Sequence, residues 1–239
     1  MNKVYFILGA SSDVGIELIK KINNENESAI IVCQYRSIND ELLDIKEMNN
    51  NIIDFVKADL TDQNQVQTMI LYIKEKYVAP THIVHLPANK FEYIKLKKID
   101  WDRCLMDLEI QVHSLLSILQ AFLPQMIKNE FNAKVVIMLS ENTVASPAKY
   151  TISYTMVKYA LLGMMKSLEV EFKEKKINFN AISPTMLNTK FWSNIDPRLI
   201  ELNGMKEKML DVMDVIPTIM FLLSRESDHI NGENIHISK

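Results

Sequence analysis

Val4-Tyr5-Phe6-Ile7-Leu8-Gly9-Ala10-Ser11-Ser12-Asp13-Val14-Gly15 decides the architecture of this chain. Its first five residues are a continuous apolar run of strand length, and Gly9 closes it. Beyond Gly15 the apolar period changes, and Ile16, Leu18, Ile19 and Ile22 trace a helix. Strand, glycine loop, helix is the arrangement in which main-chain N–H groups and a helix N-terminus gather around a phosphate. The chain holds only five glycines, and two of them, Gly9 and Gly15, fall in this one loop. With no Cβ, glycine permits a tight turn and the close approach of a ligand.

The same alternation continues to the end of the chain. Apolar runs at 4–8, 29–33, 52–56, 82–86, 135–139, 177–182 and 234–237 have strand length. They are mostly continuous, as in strands buried on both faces. Helical patterns fall between them, at about 14–23, 40–48, 64–77, 101–128, 154–175 and 215–224. Asp214 is the expected N-cap of the last helix, with Pro217 in its first turn. Alternating strands and helices predict a three-layer α/β fold with one parallel, doubly wound sheet. At 239 residues, without repeats or a low-complexity linker, the chain reads as a single domain over 1–239.

Composition narrows the function. A hydrophobic content of 48% and a charged content of 24% are ordinary for a globular chain. The net charge is −3, and no block of like charge suggests nucleic acid or a membrane surface. No stretch of about eighteen apolar residues predicts a membrane-spanning helix. The opening residues superficially resemble a secretory leader, but the apolar run is short and carries Tyr5, so none is expected. Cys33 and Cys104 are far apart and read as buried thiols in a reducing, cytoplasmic setting. His82 and His85, three apart on a strand, face opposite sides and do not form a metal pair, so no metal is expected.

The chemistry is expected from Tyr154-Thr155-Met156-Val157-Lys158, with Ser140 fourteen residues before the tyrosine. On a helix, positions four apart share a face. A lysine ammonium there favours the ionised phenol. Moving a tyrosine from a pKa of about 10 to about 7 takes roughly 4 kcal/mol. One charge at about 4 Å and an effective dielectric near 20 supplies a similar amount. Alone, the motif is weak, since a half-buried tyrosine beside an exposed lysine is common. Its position after the glycine loop and the alternating elements gives it weight.

In this order the motifs resemble the short-chain dehydrogenase/reductase family over nearly the whole chain. Gly9-Ala-Ser-Ser-Asp-Val-Gly15 resembles the family's T-G-x-x-x-G-I-G cofactor loop. Asp59-Leu60 resembles its adenine-contacting acidic site, and Ser140, Tyr154 and Lys158 resemble its catalytic trio. Asn180-Ala-Ile-Ser-Pro184 with Thr189 resembles its N-x-x-x-P-G-x-x-x-T segment beside the nicotinamide. Ile230-Asn231-Gly232 resembles the family's usual ending before the last strand. The resemblance implies a Rossmann fold with a mostly seven-stranded parallel sheet. It also implies hydride transfer to or from a small-molecule carbonyl or alcohol, with 3-oxoacyl thioesters as a substrate class. The cofactor site would comprise Gly9, Ser11, Ser12, Asp13, Val14, Gly15, Arg36, Asp59, Leu60, Ala88, Lys158, Pro184 and Thr189.

Several positions depart from the pattern. Asp13 replaces a loop glycine, and is expected to cap the helix starting at Val14 while presenting its N–H to the cofactor. His85-Leu86-Pro87-Ala88 stands in place of N-N-A-G, and Thr185 replaces the glycine of the P-G step. Ser140 precedes Tyr154 by one residue more than usual, with Thr143 as the alternative hydroxyl. Gln111 occupies the place of an active-site asparagine and would hold a water that relays protons to Lys158. After the second strand no acid occurs before Asp40, whereas Arg36 would pair with a 2′-phosphate, so NADP(H) is preferred over NAD(H). Residues 186–212 would cover the substrate, with Phe191, Trp192 and Met205 lining the pocket. The helices at 101–128 and 154–175 are apolar on nearly every side. The resemblance implies that they build a homodimer or homotetramer, and Gly163 suggests close backbone packing there. The altered segments also leave open a cofactor-binding protein that no longer catalyses, acting as a redox sensor or scaffold.

Overall fold

The structure, a computed structural model, describes residues 3–25, 28–45, 48, 50–128, 132–196, 198, 207 and 209–239. Seven strands form one parallel sheet: β1 (Lys3–Leu8), β2 (Ala29–Tyr35), β3 (Ile52–Lys57), β4 (His82–His85), β5 (Ala133–Met138), β6 (Ile177–Pro184) and β7 (Asn234–Ile237). Their order is β3-β2-β1-β4-β5-β6-β7, so the chain winds one way from β1 to β3 and the other way from β4 onward. The reversal between β1 and β4 opens a crevice at the carboxyl ends of the strands, where open α/β sheets bind ligands.

Alternation along the strands divides the core into two layers. On β1, Val4, Phe6 and Leu8 pack with α3 (Gln63–Tyr77), α5 (Ser114–Met126) and α6 (Ile152–Glu171). Tyr5 and Ile7 face the other layer, with α1 (Asp13–Asn24), α2 (Asp40–Ile45) and α7 (Val212–Leu223). The two histidines of β4 follow the same rule. His82 stacks on Tyr5 with centroids 4.6 Å apart, while His85 belongs to the α5–α6 side, beside Lys158 and Gln111. Cys33 and Cys104 are both buried and unpaired.

The helix borders correct several expectations. Ser12, not Asp13, caps α1, its hydroxyl accepting from Gly15 N at 3.1 Å. Asp211, not Asp214, caps α7, and Asp214 at the third helical position returns a bond to Asp211 N at 2.8 Å. Both acids suit a first turn, and the reciprocal box selects the earlier start. Pro217 therefore lies inside α7 rather than in its first turn. The expected helix over 101–128 is three pieces: α4 (Trp101–Leu108), a π-helical turn (Glu109–His113) and α5. No proline or glycine marks 109–113, so hydrophobic periodicity could not show the extra residue. The expected burial of α6 all round is not met within one chain. Val157, Leu161 and Met165 are buried, whereas Met156 and Tyr159 are each 48% exposed. Gly163 is likewise uncrowded, since a Cβ there would meet nothing within 4 Å.

Candidate active site

The carboxyl ends of β1 to β6 open into one cleft of about 930 Å³. Each strand delivers part of its wall, because a parallel sheet places every strand-to-helix turn at the same edge. From β1 come Gly9, Ser11, Ser12, Asp13 and Val14; from β2, Arg36; from β3, Asp59 and Leu60; and from β4, Ala88. From β5 comes Ser140, from α6 Tyr154 and Lys158, and from the segment after β6 Pro184 and Thr189. Two expected residues stand behind the wall. Gly15 lies against the loop, where a Cβ would come within 2.7 Å of both Gly9 O and Ala10 O. Gln111 is buried in the π turn with no partner for its Oε1.

The glycine loop is fixed by a residue that sequence reasoning missed. Gln34, buried at the end of β2, accepts from Gly9 N at 2.9 Å and donates to Ala58 O at 2.8 Å. A glutamine ending an apolar strand run was the available signal, since a buried amide must find partners. Gly9 has φ +75°, and a Cβ there would press on Pro87 N at 3.1 Å. Only glycine suits that corner. Asp13 turns away from the loop and accepts from Lys190 N at 2.7 Å. Lys190 also reaches Glu41 at 2.9 Å, so the segment after β6 is tied to the far side of the cleft. Arg36 is exposed and forms no ion pair among the described residues. Asp59 holds Thr61 through its Oδ1, accepting from the main-chain N at 2.9 Å and the hydroxyl at 2.8 Å.

A nicotinamide dinucleotide fits these residues. The loop offers a helix N-terminus and two glycines for a pyrophosphate. At the other end Thr185 Oγ1 and Trp192 Nε1, both in residues that line the cleft, are buried without a partner among the described residues. Such atoms suit a polar ligand group.

The reacting end is enclosed. The Tyr154 ring packs edge-on against Phe91, with centroids 5.1 Å apart, and lies 6.1 Å from the Phe191 ring. Trp192 stacks on Phe91 at 4.7 Å. Phe191 and Trp192 thus line the pocket as expected, while Met205 and much of 186–212 lie outside the described residues. Tyr154 lines the cleft and is largely buried. Burial pushes the phenol up to about 12, with the Ser140 hydroxyl pulling the other way. The expected depression toward 7 is therefore not found, because desolvation outweighs the Ser140 hydrogen bond. Lys158 itself is 2% exposed, and burial brings it down from 10.5 to about 7, against the pull of Asp107. Its Nζ donates to Met138 O at 2.9 Å and lies 5.7 Å from the Tyr154 ring centroid.

Between the two candidate hydroxyls the structure separates Ser140 from Thr143. Thr143 bonds Ser140 O at 2.8 Å and Ser183 Oγ at 2.9 Å, and receives Asn234 Nδ2 at 3.0 Å. It is a buried tie between β5, β6 and β7, whereas Ser140 lines the cleft. Asn142 was not foreseen. Its Nδ2 donates to Thr155 Oγ1 at 2.8 Å and Thr151 Oγ1 at 3.2 Å, fixing the start of α6 and so the tyrosine.

Residues 9–239 match the family model described as Enoyl-(Acyl carrier protein) reductase, one of the short-chain dehydrogenase/reductase models. The chain belongs to the short-chain dehydrogenase/reductase family. These enzymes are oxidoreductases that bind nicotinamide cofactors. Within the family the chain is 24% identical to the 3-oxoacyl-[acyl-carrier-protein] reductase FabG of Buchnera aphidicola subsp. Baizongia pistaciae. The alignment covers 99% of this chain and 96% of that one. Among solved structures, YwfH, an NADPH-dependent reductase involved in bacilysin biosynthesis, superposes with a TM-score of 0.85 at 16% identity, over 100% of this chain and 97% of that one. An NADH-dependent reductase solved with NAD superposes with a TM-score of 0.81 at 16% identity, over 99% of this chain and 95% of that one. These two likenesses establish the fold. His85, one of the departures from the family pattern, feels the charge of Lys158 and meets the main chain of Gln111, another departure.

Proposed function

We propose that this short-chain dehydrogenase/reductase reduces a ketone to an alcohol with NADPH, within a single domain that spans the chain. The observation that carries the reading is the convergence of Ser140, Tyr154, Lys158 and the Gly9–Val14 loop on one cleft. A nicotinamide dinucleotide bound there supplies the hydride. Tyr154, protonated at neutral pH, donates its proton to the carbonyl oxygen. Ser140 holds that oxygen by a hydrogen bond and orients it toward the phenol. Lys158 places its charge beside the phenol when protonated and stabilises the negative charge left on the oxygen of Tyr154. Phe91, Phe191 and Trp192 exclude water from the reacting end.

Arg36 supports the preference for NADPH. It lies at the end of β2, in the cleft wall, with its guanidinium exposed to receive a 2′-phosphate. Asp59 and Leu60 receive the adenine end, and Pro184 and Thr189 the nicotinamide end. A 3-oxoacyl thioester is the substrate class suggested by the FabG-type relative and by the apolar Phe91, Met106, Ile110 and Phe191 in the cleft wall. A homodimer or homotetramer through α4–α6 is supported by exposed Leu105, Leu116, Met156 and Tyr159. The two unpaired buried cysteines suit a cytoplasmic setting.

Turnover of a ketone panel with NADPH and with NADH, followed by nicotinamide absorbance, tests the reading. Arg36→Glu should reverse the preference by weakening NADPH binding at least tenfold. Cofactor binding by the wild type without turnover of any ketone would favour a non-catalytic sensor instead.

A further inference from the structure

His85 is 1% exposed at the end of β4, and among the described residues neither ring nitrogen has a well-formed hydrogen bond, the main chain of Gln111 being the polar group it meets. A neutral imidazole carries one donor and one acceptor, and both are expected to be satisfied when buried. Its neighbours explain where the partners must come from. His85 pairs in register with Leu8 and Ile137, which offer only apolar side chains. On the helical side it meets Lys158 of α6 and the main chain of Gln111 in the π turn. Lys158 is the charged group acting on it, and Asp107 of α4 acts in turn on Lys158.

Lys158 has the complementary deficit. An ammonium carries three donors, and among the described residues Met138 O is the one acceptor found for it. Gln111, whose main chain meets His85, also carries a buried Oε1 with no partner among the described residues. The π turn sets this up, because an extra residue in a helical turn shifts the main-chain ladder and re-aims its carbonyls.

We propose that His85 is a positioning residue for Lys158, its neutral ring accepting a hydrogen bond from the ammonium through one bridging water and donating with its other nitrogen to the Gln111 carbonyl. A water there accepts from Lys158 Nζ and donates to His85 and to Gln111 Oε1, which gives each of the three groups a partner. The ring is suited to this because burial and the lysine charge hold it down to about 3, so it stays neutral when Lys158 is charged. His85 thereby holds the lysine charge in place beneath Tyr154. The inference rests on the reading of Tyr154 and Lys158 as a working pair.

The test follows the lysine itself, without cofactor. Competitive acetylation across pH about 5 to 10, read on the Lys158 peptide by mass spectrometry, gives the midpoint at which the amine loses its proton. In His85→Leu that midpoint should fall by about one pH unit, because the charged form has lost an acceptor. His85→Gln keeps an acceptor and should stay near the wild-type value. In alcohol oxidation the alkaline limb of kcat should move to lower pH in His85→Leu and return in His85→Gln. A folded His85→Leu protein that titrates like the wild type would overturn the proposal. Should the leucine variant not fold, His85→Met, closer in shape to the ring's length, makes the same comparison. Failure of the wild type to bind or turn over either dinucleotide would sink the enzymatic reading alone, since the labelling needs no cofactor.

Discussion

Tyr154 and Lys158 are tuned in opposite directions by one cause. Burial of the hydroxyl keeps the phenol protonated, and burial of the ammonium makes its charge easy to lose. If Tyr154 is the proton donor, as proposed, the phenol is in its working form for carbonyl reduction at any ordinary pH, and the lysine sets the pH dependence. Its charge is present below about 7 and lost as pH rises through that value. The expected outcome is that kcat/KM for ketone reduction declines as pH rises through about 7. A flat profile from pH 6 to about 9, with substrate binding unchanged, would contradict it. Tyr154→Phe should lower kcat about a hundred- to ten-thousand-fold, the usual worth of a positioned general acid, with cofactor affinity retained. Stopped assays and nucleotide fluorescence titration measure the two quantities separately.

At the scale of elements, the β1 loop is rigid because backbone, not side chain, surrounds its glycines. Gly15→Ala would drive a Cβ to 2.7 Å from two carbonyl oxygens, so α1 must move off the loop. A loss of about 1–3 kcal/mol of stability is expected, with a larger proportional loss of dinucleotide affinity. Thermal melting with and without NADPH reads both. Ser12→Ala removes the cap on Gly15 N and should cost about 1 kcal/mol. These local devices show where the sequence was legible. Continuous apolar runs marked β1, β2 and β5, because strands covered on both faces carry little polar alternation to blur them, whereas β7, Asn234-Ile235-His236-Ile237, alternates and is only partly covered. The glycine loop and the Tyr154–Lys158 step were legible from spacing taken together with their place among the alternating strands and helices. The cap of α1 was misread because Ser12 and Asp13 are adjacent and both can cap, and only the fold shows Asp13 drawn to Lys190, 177 residues away. The π turn and Gln34's grip on Gly9 were equally hidden, since each depends on contacts made across elements.

For the whole molecule, the open question is what covers α4, α5 and α6. Leu105, Leu116, Met156 and Tyr159 leave an apolar band exposed on one side of the chain. Gly163 lies on α6 with free space where its Cβ would be. Inside one chain that glycine has no packing purpose and costs about 1 kcal/mol against alanine in a helix. A partner helix crossing at Gly163 would give it one, because absence of a side chain lets two backbones approach. Gly163→Lys separates the cases. In an isolated chain the lysine points into open space and favours the helix, so melting temperature should hold or rise. In an assembly closed on α6 it introduces a charge into an apolar contact, and light scattering should show the oligomer dissociating to a single chain of 27.6 kDa. Circular dichroism and NADPH binding should be unchanged in either case, because the cleft at the carboxyl edge of the sheet is built within one chain. An oligomer that survives the substitution intact would place its interface elsewhere.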